Sequence, residues 1–260
     1  MRYTSVRNFL KLGYLIFMRD FMTRYRLTYF GFFWIFVKPI LSALPLILVG
    51  KQFNLGGQEQ GKIPYEVFAF VGFILWQIFW DSVVIPQWLI RRQRSLLSGL
   101  PVPREIVLMG SCFYIFLNLF FSMVTMLIMM VLYRVPFSLT MLLALTSLPL
   151  LVFSGLAIGV YLAPLTLIFL DLRYSLPILS GAILWTVPII YAAPGEGPIG
   201  IINKFNPLTY LIGVPRSWFL NIISPNQWLF VLAVCFFIIL FSYGLKFYRK
   251  VVSIAIDHMV

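Results

Sequence analysis

Charge is what this sequence has least of. Only 11% of its 260 residues are Asp, Glu, Lys or Arg, against about 25% in an ordinary soluble domain. Such a chain cannot present a charged surface to water on every side, so lipid is the expected solvent. Acidic residues are the scarcer sign, 8 against 20 basic ones, and His258 is the single histidine. A membrane transferase acting on lipid-linked sugars would need an acid–base or metal constellation near the bilayer, and scattered carboxylates with one histidine do not supply it. Cysteine is limited to Cys112 and Cys235, both inside apolar runs; they read as small buried hydrophobes rather than a disulfide or metal pair. No G-x-x-x-x-G-K-[ST] run occurs, so no loop of amides is offered to nucleotide phosphates. No internal repeat is visible, which disfavours secondary transporters built from paired halves. The first residues do not read as a signal peptide, because polar and charged residues continue to Arg26 with no short apolar core and cleavage site.

What is abundant is apolar: 61% of residues are hydrophobic and 18% aromatic. A span costs roughly 20 residues plus a connection. On that measure the apolar runs fall at 32–50, 65–90, 106–133, 135–170, 174–194 and 227–245. The run 135–170 is too long for one ordinary helix and too short for two with a comfortable loop. Parity decides it. Taken as one span it gives six in total and puts both chain ends on one side. That side then collects Arg2, Arg7, Lys11, Arg19, Arg24, Arg26, Arg91, Arg92, Arg94, Arg104, Arg173, Lys246, Arg249 and Lys250, and the other Lys51, Lys62, Arg134, Lys204 and Arg216. Fourteen against five is a positive-inside assignment with cytoplasmic termini. The net charge of +12 is therefore read as cytoplasmic flanks and not as a nucleic-acid surface. The expected fold is all-α: six transmembrane helices, an amino-terminal amphipathic interfacial helix within 1–31, a six-span region over 32–245, and a cytoplasmic tail over 246–260, all one transmembrane domain.

In the amino-terminal helix, Arg7 and Lys11 lie four apart, and Arg19, Thr23 and Arg26 form a second stripe. Val6, Phe9, Leu10, Leu15, Ile16 and Phe17 supply apolar surface. Such a helix lies in the interface with its arginines on anionic headgroups, as an anchor alone or with an outer face for a cytosolic subunit. Asp20 and Arg24 are spaced for an i,i+4 pair. Lys38 and Asp81 fall inside spans, where ionisable groups are expensive; Lys38 either pairs with Asp81 or snorkels to the inner interface. Between spans two and three, Arg91, Arg92 and Arg94 lead into Ser95-Leu96-Leu97-Ser98, Gly99 and two prolines, a short helix followed by a rigid turn. These arginines satisfy the positive-inside rule by themselves, or they fit a partner's groove. Asp171 and Arg173 are a second contact or pair with each other. In 195–225, Asn206 is a good N-cap and Pro207 a good first helical residue. The helix beginning at Leu208 and ending about Phe219 is too short to span, so it is re-entrant, interfacial or an ordinary amphipathic loop.

Taken together, these residues resemble a known family. Arg24-Tyr25-Arg26 followed by Gly31, Trp34 and Pro39 is similar to the opening motif of the type-2 ABC exporter permeases that move polysaccharides, the O-antigen, capsule and teichoic-acid export subunits. Leu100-Pro101-Val102-Pro103-Arg104-Glu105-Ile106 resembles that family's proline-arginine-glutamate signature after the second span. Asp171-Leu172-Arg173-Tyr174 resembles its short loop between spans four and five, and Asn206-Pro207 with Arg216 its signature before the last span. Each motif alone is weak; four in order cover nearly the whole chain. Lys38 departs from the uncharged residue expected there.

The resemblance implies a transport subunit rather than an enzyme. It implies a homodimer with a separate cytosolic ABC ATPase that carries ATP and Mg, no cofactor or metal on this chain, and export of lipid-linked polysaccharide across a bacterial inner membrane. Arg91, Arg92, Arg94, Arg104, Glu105, Asp171 and Arg173 would then couple to the ATPase, and Arg19, Arg24, Tyr25 and Arg26 would mark the interfacial helix. Asn206, Pro207 and Arg216 would belong to an external gate. Sugar rings expose apolar C–H faces, so Trp34, Trp76, Trp80, Trp185 and Tyr191 are candidate sliding platforms, or else belong to interfacial belts. A drug, haem or lipid exporter of the same fold is the alternative cargo class, and a transferase acting on lipid-linked sugars a more distant one.

Overall fold

A computed structural model describes residues 6–25, 31–53, 63–99, 102–191, 197–222 and 226–257. Among these residues the chain is helical, without strands. Its α-helices are α1 (Val6–Tyr25), α2 (Trp34–Gln52), α3 (Tyr65–Arg92), α4 (Arg94–Gly99), α5 (Ile106–Leu132), α6 (Thr140–Ile168), α7 (Leu172–Thr186), α8 (Gly197–Phe205), α9 (Pro207–Leu220) and α10 (Gln227–Asp257). Five of them, α2, α3, α5, α6 and α10, are long and apolar enough to cross a membrane. The shortest, α2, has 19 residues, which at about 1.5 Å each nearly matches a hydrocarbon core about 30 Å thick.

The ambiguous fourth run folds as one helix, with Pro149 and Pro164 inside α6. Two expected boundaries are corrected. The run 174–194 is helical only as far as Thr186. Pro188 is the reason: the residue before a proline is driven out of the helical region, and Val187 is extended at φ −110°, ψ 134°. At the other end of the chain α10 does not stop at Leu245 but runs on to Asp257, so the described part of the basic tail continues the last helix.

The bundle is organised on α3, which is buried along most of its length and packs on α6, α5, α2 and α9. In lipid the hydrophobic effect does not drive one apolar helix onto another; close packing does. The α3–α6 seam shows how. At Gly155 of α6 a Cβ would stand 2.5 Å from the carbonyl oxygen of Phe79, and at Gly159 one would stand 2.9 Å from those of Ser82 and Val83. α10 covers α6 and α9, and α1 lies along α5.

Two ends of the bundle are recognisable from side-chain ties. One gathers the last residues of α3, α4 and the start of α5, where Arg249 Nε of α10 pairs with Glu105 Oε1 at 2.6 Å and the Tyr248 hydroxyl donates to the Arg104 carbonyl at 3.2 Å. The opposite end holds the start of α3, where Lys51 Nζ meets Glu66 Oε1 at 2.6 Å, and the end of α9, where the Thr140 hydroxyl donates to the Trp218 carbonyl at 2.8 Å.

Candidate functional site

The first end is built around a carboxylate. Asp20 lies on the face of α1 turned into the bundle and is buried. It accepts from the Tyr114 hydroxyl at 2.8 Å and from Arg92 Nη1 at 3.2 Å. Its expected i,i+4 partner Arg24 is elsewhere, with its guanidinium 4.8 Å from the centroid of the Trp88 ring. The reason is environmental: a buried carboxylate takes the strongest donors within its pocket, while exposed Arg24 gains more from an aromatic face. Arg92 also sits over Trp88, at 5.7 Å, and Trp88 meets Tyr114 edge-on at 5.1 Å. Arg19 donates to Gln93 Oε1. Ile16 and Phe17 of α1 are buried, and Phe17 packs edge-on against Tyr114 at 4.8 Å. By contrast Val6, Leu10 and Leu15 are exposed, so the apolar surface of α1 is divided between α5 and the outside.

Around this core the residues expected for coupling separate into groups. Arg24, Arg91, Arg92 and Arg173 converge with Trp88 on one cleft of about 380 Å³. Arg94 is exposed at the start of α4, and Leu96 of α4 faces Leu12, Leu15, Ile16 and Arg19 of α1 across an apolar groove of about 170 Å³. Glu105 is taken by Arg249. Asp171 is exposed, and Arg173 stacks on Tyr174 at 5.7 Å instead of pairing with it. Arg26, Leu100, Pro101 and His258 lie outside the described residues, as does the side chain of Tyr25.

Next to the arginine cleft lies a cavity of about 410 Å³ lined by Arg24, Trp34, Lys38, Gln77, Asp81, Asn118 and Ser122, among others. Asn118 Nδ2 donates to Asp81 Oδ2 at 3.0 Å, and Gln77 Oε1 is buried without a partner. Lys38 and Asp81 share this cavity without an ion pair. Of the aromatic candidates, Trp34 lines it, while Trp76 is buried and stacks on half-buried Trp80 at 5.5 Å.

At the opposite end the backbone is irregular and yet buried. Residues 187–190 are all buried. The Tyr65 hydroxyl donates to the Ile190 carbonyl at 2.7 Å, and Arg216 Nη1 to the Ile189 carbonyl at 2.8 Å. Arg216 also lies 3.9 Å over the Phe68 ring. Gly72 makes this possible, because a Cβ there would stand 2.9 Å from the Ile189 oxygen. Asn206 caps α9 as expected, its Oδ1 accepting from the Leu208 amide at 3.0 Å with Pro207 next to it. Its Nδ2 reaches the Thr186 hydroxyl at 3.4 Å. Tyr191 donates to the carbonyl of exposed Trp185 at 3.1 Å. Cys112 is half-buried, but Cys235 is exposed: it lies on α10, an outer helix whose outward face is apolar.

Sequence reasoning missed Trp88 and Tyr114. Trp88 was legible in part, because it lies three and four residues before Arg91 and Arg92 on one helix, the spacing that places side chains together. Tyr114 carried no local signal. Fold and site define a polytopic α-helical membrane protein with a basic end and, beside it, an open cavity that gathers Lys38, Gln77, Asp81 and Asn118. No protein-family model matches the chain, and no curated protein does.

Proposed function

We propose that this chain is the membrane subunit of an ATP-driven exporter. It works as a homodimer with a cytosolic ABC ATPase that binds ATP and Mg, and it moves lipid-linked polysaccharide out across a bacterial inner membrane. The observation that carries the reading is α4. This six-residue helix sits between two membrane-length helices, immediately before the proline-arginine-glutamate signature. It shares a groove with α1 and leaves Arg94, Ser95, Ser98 and Gly99 exposed, a surface suited to a motor subunit.

Six spans, with both ends cytoplasmic, are needed for this role. The chain from Arg173 to Ile190 supports the sixth. It starts in the cleft with Arg91 at the end of α3 and finishes on Tyr65, the first residue of α3. α7, at about 22 Å, is short for a crossing, and the extended residues after it make up the rest. Non-helical backbone at membrane depth is tolerated where protein satisfies its carbonyls, as Tyr65 and Arg216 do. α8 and α9 form the re-entrant hairpin of an outer gate, with α9 starting beside Thr186 and ending beside the first residue of α6.

Purification of the tagged full-length chain tests this. A P-loop ATPase should travel with it in stoichiometric amount. Arg94→Glu should cut that yield several-fold without changing the thermal unfolding of the membrane subunit. Deletion in the host should trap lipid-linked polymer inside the cell; normal surface polymer in the deletion strain would remove the cargo assignment.

A further inference from the structure

The arginine cleft has too little negative charge. Arg24, Arg91, Arg92 and Arg173 reach it from α1, α3 and α7, and like charges so gathered repel. The last turn of α3 favours Arg91 and Arg92 through the helix dipole, but that is worth only about half a charge. Asp20 engages Arg92. Among the described residues, Arg24, Arg91 and Arg173 have no carboxylate within 4 Å. Arg91 Nη1 is buried with no hydrogen-bond acceptor, a state that costs about 1–3 kcal/mol. Trp88 holds Arg24 and Arg92 through its ring face. A cation–π contact fixes a guanidinium while leaving its N–H fork free for a further partner. Three forks without a carboxylate, Arg24 set on Trp88, Arg173 on Tyr174 and Arg91 part-buried and short of an acceptor, match an anion with more than one charge and more than two oxygens.

We infer that the Arg24–Arg91–Arg173 cleft binds a phosphate or diphosphate group, carried by a lipid headgroup or free in solution. Arg24 lines both this cleft and the neighbouring cavity, so whatever is esterified to the bound group lies beside Lys38, Gln77 and Asn118. Arg91 and Arg173 then serve the cargo and Arg92 holds Asp20, so of Arg91, Arg92 and Arg94 only Arg94 is left to the motor. The anion site stands on the geometry alone; its assignment to the cargo rests on the export reading.

The test titrates detergent-purified full-length protein by calorimetry with inorganic pyrophosphate, farnesyl diphosphate and farnesol. Pyrophosphate and farnesyl diphosphate should bind, more weakly as salt rises, and farnesol should not. Arg24→Gln, Arg91→Gln and Arg173→Gln should each raise Kd about tenfold, the loss of one charge-assisted contact, and Arg91→Lys should do the same because it keeps charge but loses the fork. Lys204→Gln, on α8 away from the cleft, should not change binding. Arg173 is exposed, so its substitution leaves the fold intact, and unfolding curves check the others. Farnesyl diphosphate binding at least tenfold tighter than pyrophosphate assigns the site to a lipid-borne group; equal affinity assigns it to a free anion. Farnesol binding as tightly as its diphosphate, no diphosphate binding by folded protein, or arginine variants that bind like the parent would each overturn the inference. Pyrophosphate binding by protein that carries no ATPase would remove the export reading and leave the anion site standing. An ATPase complex that ignores diphosphates would do the reverse.

Discussion

Asp20 is a lone carboxylate on a cationic helix, and it fastens that helix to the bundle. Tyr114→Phe should cost about 1.5 kcal/mol of stability, one hydrogen bond to a charged acceptor. Asp20→Ala should cost about 2–3 kcal/mol, because it leaves a buried hydroxyl unsatisfied and Arg92 beside three other arginines. Thermal unfolding in detergent checks both, and Arg94→Gln, at an exposed position, should leave the midpoint unchanged. The sequence could not reveal this fastening. Spacing rules see one helix at a time, and Asp20's partners lie 72 and 94 residues away. The same limit hid the partner of Arg216, whose carbonyl acceptor is 27 residues distant. Asn206 was legible because a cap is local: its acceptor oxygen serves an amide two residues on.

For the elements, long apolar runs delimited the helices, since a span must be apolar throughout its length. Where an element ends depends on backbone chemistry that hydropathy does not register. α7 stops for Pro188, and α10 continues through a basic stretch because Tyr248, Val252 and Ala255 are buried against the rest of the protein. Packing separates two glycines that look alike in sequence. Gly155→Ala places a methyl 2.5 Å from a backbone oxygen and 2.6 Å from the Ser82 side chain, and should destabilise by about 1–3 kcal/mol. Gly181 faces open space in the middle of α7, so Gly181→Ala should be neutral or stabilise by up to about 1 kcal/mol. Unfolding midpoints of the two variants should move apart; a similar loss for both would contradict the α3–α6 seam.

For the whole molecule, the reading depends on the basic end of the bundle facing the cytosol as one surface, formed by α1, α4, the start of α7 and the end of α10. Five crossings would place α4 and the end of α10 on opposite sides of the bilayer; six place them together. The difference is whether the chain from α7 through residues 187–191 completes a crossing. The most direct measurement is labelling by a membrane-impermeant maleimide of protein lacking Cys112 and Cys235, with single cysteines at exposed Ser95, Lys250 and Lys204. In inside-out vesicles Ser95→Cys and Lys250→Cys should both label while Lys204→Cys is protected, and in right-side-out vesicles the pattern should reverse. Labelling of Ser95→Cys and Lys250→Cys from opposite faces would contradict the account.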